Sequence, residues 1–429
     1  MSSPCLRLRS LLPLLLLLLA VSAARPAHAL DNGLGKTPPM GWNSWNKFAC
    51  NGLNEKVVRE SADTMVASGM KDAGYQYILL DDCWQVSRDA QGNIVPDPEH
   101  FPHGIKAVAD YVHSKGLKFG LYTDAGTKTC AGRPGSLGHE YQDALQYAAW
   151  GVDYLKEDWC NTLPGQSAES SYALMRDALA DAAKTTGHPI FFSLCEWGSN
   201  KPWQWASSIG NMWRATGDIQ DCWDCKKDWG GNGVAQILDL VDPLYSVAGP
   251  GHFNDPDMLE VGNGGMSTEE DRAHFSMWAL LAAPLLAGND IAKMSPETRS
   301  ILLNKEVIAV DQDPMGIQGH RIKHTGGSPT PVDPKVKVDP DKKTQPESEF
   351  ANDQEVWVKQ MADGSRTVVL LNRGSAPATI SATWPEIGYP ADLAANVRDL
   401  WAAKDLGKLT GTYSANVPSH GVVMLRVKP

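Results

Sequence analysis

Four short stretches of the 429-residue chain set carboxylates beside a cation or beside each other. "YLKEDWC" holds Lys156, Glu157 and Asp158, and "WRATGDIQD" holds Arg214 and Asp218. "LLDDCW" holds Asp81 and Asp82, and "FNDPDML" holds Asp255 and Asp257. In an extended strand, residues two apart share a face, so Lys156 and Asp158 point together and Glu157 points away. A lysine on the same face holds Asp158 ionised, as a nucleophile requires. One such pair alone reads first as a structural ion pair at a strand end. Acids converging from four strands without a histidine cluster suit either a hard cation with oxygen ligands or a hydroxyl-rich ligand. The interleaved Lys156, Arg214 and tryptophans favour a sugar, held by bidentate hydrogen bonds and ring stacking. Two carboxylates flanking a glycosidic bond are a standard device for cleaving it.

The elements that must position these acids repeat a rhythm. Short apolar runs end in polar or acidic residues at 39–46, 75–84, 117–126, 151–160, 189–198, 211–220, 251–259 and 285–290, with helical patterns between them. Alternating strands and helices make a parallel sheet, and eight units make a (β/α)8 barrel; a doubly wound sheet is the alternative. In a barrel, active sites form at the C-terminal ends of the strands, which is where the acids fall. The spacing of Val58, Ala62, Met65 and Val66 predicts one apolar helix face, stopped by Gly69. After about residue 318 the texture changes. Residues 326–350 are rich in proline and charge and are expected to form an exposed, mobile insertion. Beyond it, "EVWVKQMADGSRTVVLLN" predicts a hairpin turning near Asp363-Gly364, and "HGVVMLRV" another strand. The expected organisation is thus a leader at 1–29, a barrel at 30–318 and a small antiparallel β domain at 319–429.

The leader reading rests on Arg7 and Arg9 before "LLPLLLLLLA", with small residues at Ala27–Ala29 for a signal peptidase. The apolar stretch is too short for a convincing membrane span, so the mature chain is expected to be soluble and exported, whether extracellular, periplasmic or in a vacuolar or lysosomal lumen. Without the leader's three arginines its formal charge is −14 (36 basic against 50 acidic side chains). That balance argues against nucleic acid or an anionic membrane as partner. No Asn-x-Ser/Thr acceptor for N-glycosylation is present.

Seven motifs in order, "PPMGWNSWN", "LDDCW", "GLYTDAG", "YLKEDWC", "LCEWG", "WRATGDI" and "NDPDML", resemble those of the glycoside hydrolase family 27 α-galactosidases (melibiases). The resemblance implies a retaining exo-glycosidase that removes terminal α-galactose, built on a (β/α)8 barrel with a C-terminal antiparallel β domain. It implies no cofactor and no metal, and a carbohydrate as the partner. It places the nucleophile on Asp158 and the acid/base on Asp218. It gives Trp42 a wall of the pocket, Asp81 and Asp82 the 6- and 4-hydroxyls, and Lys156 the 3- and 4-hydroxyls. Arg214 and Asp257 take the 2- and 3-hydroxyls, Tyr122 lies near the nucleophile, and Cys195 and Glu196 line the side of the 2-substituent. Glu157 departs from the family, which often carries an apolar or aromatic residue there.

The resemblance also implies disulfides Cys50–Cys83 and Cys130–Cys160 and a free thiol at Cys195. Cys222 and Cys225 are a further departure; a small loop disulfide is preferred over a zinc half-site or a redox pair. Two other specificities stay open within the family, β-L-arabinopyranosides and α-N-acetylgalactosaminides, and a non-catalytic sugar-binding protein is the alternative outside it. Asp81 and Glu196, with both catalytic aspartates present, favour α-galactosidase.

Overall fold

Continuous apolar runs form strands that are buried on both faces, and eight of them lie side by side and parallel. The computed structural model describes residues 30–325, apart from Lys226, Asp228 and Trp229, and residues 353–429. The leader expected at 1–29 and the insertion expected at 326–350 lie outside these described residues. The parallel strands are β1 (Met40–Asn43), β2 (Tyr77–Leu79), β3 (Lys118–Asp124), β4 (Tyr154–Asp158), β5 (Phe191–Leu194), β6 (Met212–Arg214), β7 (Phe253–Asp255) and β8 (Leu285–Ala287). They run in the order β8-β1-β2-β3-β4-β5-β6-β7. The ring closes through a single parallel bridge just beyond β7, Leu259 to Ala287. There the Leu259 amide donates to the Leu286 carbonyl and the Gly288 amide to the Leu259 carbonyl, each at 2.8 Å. The sheet is therefore the expected barrel, with one thin seam.

Helices cover its outside. In Glu55–Ala67 the apolar stripe buries Val58, Ala62 and Met65, but Val66 is exposed. Eight residues of helix turn about 80° away from Val58, which carries Val66 off the packed face, contrary to the expectation from spacing. Gly69 follows with φ +88°, a left-handed conformation that suits glycine and ends the helix.

The C-terminal part is antiparallel. Strands β9 (His320–His324), β10 (Gln354–Gln360), β11 (Arg366–Asn372), β13 (Ala394–Asp399), β14 (Lys404–Thr410) and β16 (Val422–Lys428) form one sheet in the order β9-β10-β11-β16-β13-β14. β12 (Ala378–Thr383) pairs with β15 (Thr412–Val417). The hairpin β10–β11 turns through Asp363 and Gly364, where the Asp363 carboxylate accepts the Ser365 amide at 3.1 Å. Between the two sheets lies a separate apolar core that includes Val356, Val368, Leu370, Ile380, Trp384 and Val397.

The two parts join through buried charge. Arg373, just after β11, gives Asp239 two hydrogen bonds of 2.9 and 3.1 Å and lies 3.1 Å from Glu355. Arg321 on β9 meets Asp239 at 3.2 Å and Glu355 at 2.6 Å, and Trp357 donates its indole N–H to Glu355. Asp239 belongs to the helix Val234–Val241, which follows β6.

Candidate active site

The C-terminal ends of the barrel strands open into one cleft. It is bordered by Trp45, Asn46, Asp81, Asp82, Tyr122, Cys130, Lys156, Asp158, Trp197, Arg214, Asp218, Asp257 and Met258. Strand alternation sorts β4 as expected. Lys156 and Asp158 face the cleft, while Glu157 is buried behind it, between sheet and helices, beside Asp124, Glu140 and Asp143.

Each acid in the cleft has its own support. Asp158 is 5 % exposed and accepts the Tyr122 hydroxyl at 3.0 Å. Asp81 receives the Lys156 ammonium at 2.8 Å and the Asn43 side-chain amide at 3.0 Å. Asp82 accepts the backbone amides of Cys83 and Ala131 at 2.7 and 2.9 Å. Arg214 reaches Asp218 at 2.9 Å and Asp257 at 2.8 Å, so one guanidinium orients two carboxylates. Asp257 is further fixed by the amides of Ile219 and Met258. The side chain of Asp218 is 42 % exposed, far more open than the other acids.

Several turns at this end hold non-glycine residues at positive φ, among them Cys83 (80°), Asn161 (47°), Trp197 (56°) and Asp257 (91°). Such conformations cost free energy and concentrate where a side chain must be aimed.

Burial dominates the electrostatics. It lifts the Asp158 carboxyl to about 6, against the pull of Lys156. It raises Asp82 and Asp257 too, with Arg214 opposing the rise at Asp257. For Lys156 and Arg214 burial works against the charge, but the surrounding acids outweigh it: Asp81 leads for Lys156 and Asp257 for Arg214. Both cations are held firmly protonated. Burial pushes Asp124, beside the nucleophile strand, up to about 8, with Asp158 adding to the rise.

Three residues assigned to the pocket do not border it. Trp42, Cys195 and Glu196 have no exposed surface. Trp42 sits in the core, edge-on to Phe48, with its indole N–H on the Asn289 carbonyl at 2.9 Å. Cys195 lies 3.6 Å behind the Arg214 guanidinium, and burial raises its thiol well above the ordinary range. One oxygen of Glu196 is bound by the Asn200 amide and side chain, the other has no partner among the described residues, and burial lifts the group to about 7. In exchange, Trp45, Asn46, Cys130, Trp197 and Met258 border the cleft without having been anticipated, although all but Cys130 directly flank or sit inside the quoted motifs.

Sulfur bridges join Cys50 to Cys83, Cys130 to Cys160 and Cys222 to Cys225, and Cys195 is free and buried. Among the described residues, the one group of metal-ligand types within mutual reach is Asp124, Cys130 and Cys160. Its two sulfurs are bonded to each other, which leaves a single carboxylate and no reasonable metal site.

Comparison with known proteins finds relatives over most of the chain. A family model described as α-galactosidase A, of the melibiase type, matches residues 37–313, and one for the α-galactosidase C-terminal β-sandwich domain matches 351–427. α-Galactosidase A of Cellvibrio japonicus is 47 % identical over 96 % of this chain and 96 % of its own. The crystal structure of α-galactosidase I from Mortierella vinacea superimposes with a TM-score of 0.82 at 38 % identity, covering 92 % of this chain and 98 % of that one. The Saccharomyces cerevisiae α-galactosidase with raffinose gives a TM-score of 0.81 at 32 % identity, over 93 % and 99 % of the two chains.

Proposed function

From the premise that this chain belongs to the melibiase family of α-galactosidases and hydrolyses α-galactosides, we propose that it does so by double displacement, with Asp158 as nucleophile and Asp218 as acid/base. The observation that carries the reading is the unequal setting of two carboxylates in one cleft. Asp158 is buried opposite Lys156, and Asp218 is half open to solvent on the arm of Arg214. In the first step the Asp158 carboxylate bonds to the anomeric carbon, while Asp218 protonates the departing glycosidic oxygen. In the second, Asp218 takes a proton from water, and that water displaces Asp158. Two inversions return the α-configuration.

Asp81, Asp82, Lys156, Arg214, Asp257 and Tyr122 surround the space left for the sugar and take its hydroxyls. Trp42, Cys195 and Glu196 support that layer from behind, Cys195 through Arg214 and through Asp158. The barrel at 30–318 carries the chemistry and the antiparallel part at 319–429 buttresses it, a division supported by the change from parallel to antiparallel pairing. The three disulfides, with no helix among the described residues long and apolar enough to cross a membrane, support an exported or lumenal enzyme whose leader is removed near Ala29.

The test compares nitrophenyl α-galactoside, β-L-arabinopyranoside and α-N-acetylgalactosaminide, with proton NMR of the first sugar released. The reading expects the α-galactoside to lead by at least tenfold in kcat/KM and α-galactose to appear first. Initial β-galactose would remove Asp158 as nucleophile, and a lead by either other glycoside would reassign the substrate.

A further inference from the structure

We propose that Asp124 is a positioning residue for the nucleophile: it acts by fixing the chain just beyond Asp158, and it touches no substrate. The inference rests on the assignment of Asp158 as nucleophile.

Asp124 is the last residue of β3 and stands opposite Asp158 in the parallel register with β4. It is fully buried, it does not border the cleft, and no ion pair to it is found among the described residues. Its two oxygens are both used. One accepts the Gly126 amide at 2.7 Å and the other the Cys160 amide at 2.9 Å.

The second bond replaces a missing rung. Beyond the strand ends the pairing continues with a slip of one residue, the Ala125 amide on the Asp158 carbonyl at 2.9 Å and the Thr127 amide on the Asn161 carbonyl, not that of Cys160, at 3.2 Å. Evenly slanted parallel pairing would next send the Cys160 amide to the Ala125 carbonyl. That carbonyl instead accepts the Gln166 side chain at 2.7 Å. The Asp124 carboxyl takes the orphaned amide, which buried backbone cannot leave unpaired without cost. The chains are also tightly apposed here, since a Cβ on Gly126 would meet the Cys160 carbonyl oxygen at 2.0 Å. With β4 paired to its neighbours on one side of Asp158, and Cys160 tied on the other by this bond and by its disulfide to Cys130, the backbone is held on both sides of the nucleophile.

The measurement is the rate at which an activated fluorinated α-galactosyl fluoride labels the enzyme, with the labelled residue found by mass spectrometry. It is made alongside KM, kcat, the thermal midpoint and the Ki of a galactose-mimicking iminosugar. Asp124→Ala removes both acceptors, and Asp124→Asn keeps one and the shape. The expected result is labelling of Asp158 slowed roughly 100-fold in Asp124→Ala, as a misplaced reacting group gives, and less in Asp124→Asn. KM and Ki should stay within about threefold of wild type. Labelling of Asp158 at the wild-type rate in folded Asp124→Asn and Asp124→Ala would overturn the proposal. So would parallel collapse of KM, Ki and kcat in Asp124→Asn, which marks a merely structural residue. A label on another residue in the wild type would instead bring down the nucleophile assignment, and this inference with it.

Discussion

Arg214 and Arg373 are both buried among carboxylates, and their surroundings differ in one respect. At the junction of barrel and β-sandwich, Arg373 forks onto Asp239, and Glu355 is shared by Arg321, Arg373 and Trp357. Among the described residues these charges answer one another. In the cleft, Arg214 also reaches two carboxylates, but its Nε has no hydrogen-bond partner among the described residues, Asp218 is half open, and burial raises the neighbouring acids toward neutrality. The cleft holds its polar groups in an unfinished arrangement, preorganised for a charge and for hydroxyls that arrive with the substrate. The same residue types thus serve cohesion in one place and reactivity in the other. The difference lies in whether the protein completes the set itself.

That contrast can be broken by substitution. Asp158→Asn should lower kcat on nitrophenyl α-galactoside roughly 10⁴-fold or more, yet leave the protein at least as stable at pH 7. Its folded-state value of about 6 lies above the unfolded one, so its ionisation costs stability from about pH 4 upward, in full above 6. A drop of several degrees in thermal midpoint would show the cleft to be cohesive after all. Arg373→Met should do the opposite. Removing one member of a closed buried set costs about 3–5 kcal/mol, read by urea unfolding, while kcat of the folded enzyme stays within about twofold. A large loss of kcat would show that the junction reports to the site.

The smallest effect concerns Glu157, whose two buried oxygens have no hydrogen-bond partner among the described residues. Burial holds it protonated far above the ordinary range, with Asp124, Glu140 and Asp143 adding to the rise. The unfolded chain loses this proton near pH 4.3 and the folded chain keeps it, so stability falls as pH rises through that window. Glu157→Gln removes the titration. The variant should gain on wild type as pH rises above the unfolded value, by at most about 1.4 kcal/mol per pH unit while the folded group keeps its proton. Equal slopes in unfolding series at several pH values would mean that Glu157 is ionised and paired.

Most of the barrel was legible because each strand is a short apolar run that ends in the acids it delivers, and period two separated Asp158 from Glu157. The hairpin at Asp363-Gly364 was legible because turn chemistry is local. Depth was harder to read. Trp42 and Trp45 differ by three residues, and one is core while the other borders the cleft, because indole suits both settings and spacing alone does not separate them. Asp124 shares the face of Tyr122 two residues earlier in "YTDAG", but its bond to the Cys160 amide joins two strands and leaves no mark on local spacing. The junction left no trace at all. Arg321, Asp239, Glu355 and Arg373 come from four separate elements, and no spacing rule links charges that meet only after two sheets have folded.

The closure of the barrel has a mechanical reading. A hoop with seven broad welds and one narrow clasp opens at the clasp, and here the clasp is Leu259 on Ala287. The helix Thr268–Leu280 bridges that gap along the chain, and the sandwich grips it: His420 holds Glu270 at 2.7 Å, Trp401 holds Ser276 at 2.9 Å and Lys359 lies 3.4 Å from the Ala279 carbonyl. The C-terminal sheets therefore act as a splint across the one joint where the ring is thin. Asp257, which shares a guanidinium with Asp218, stands two residues from that joint.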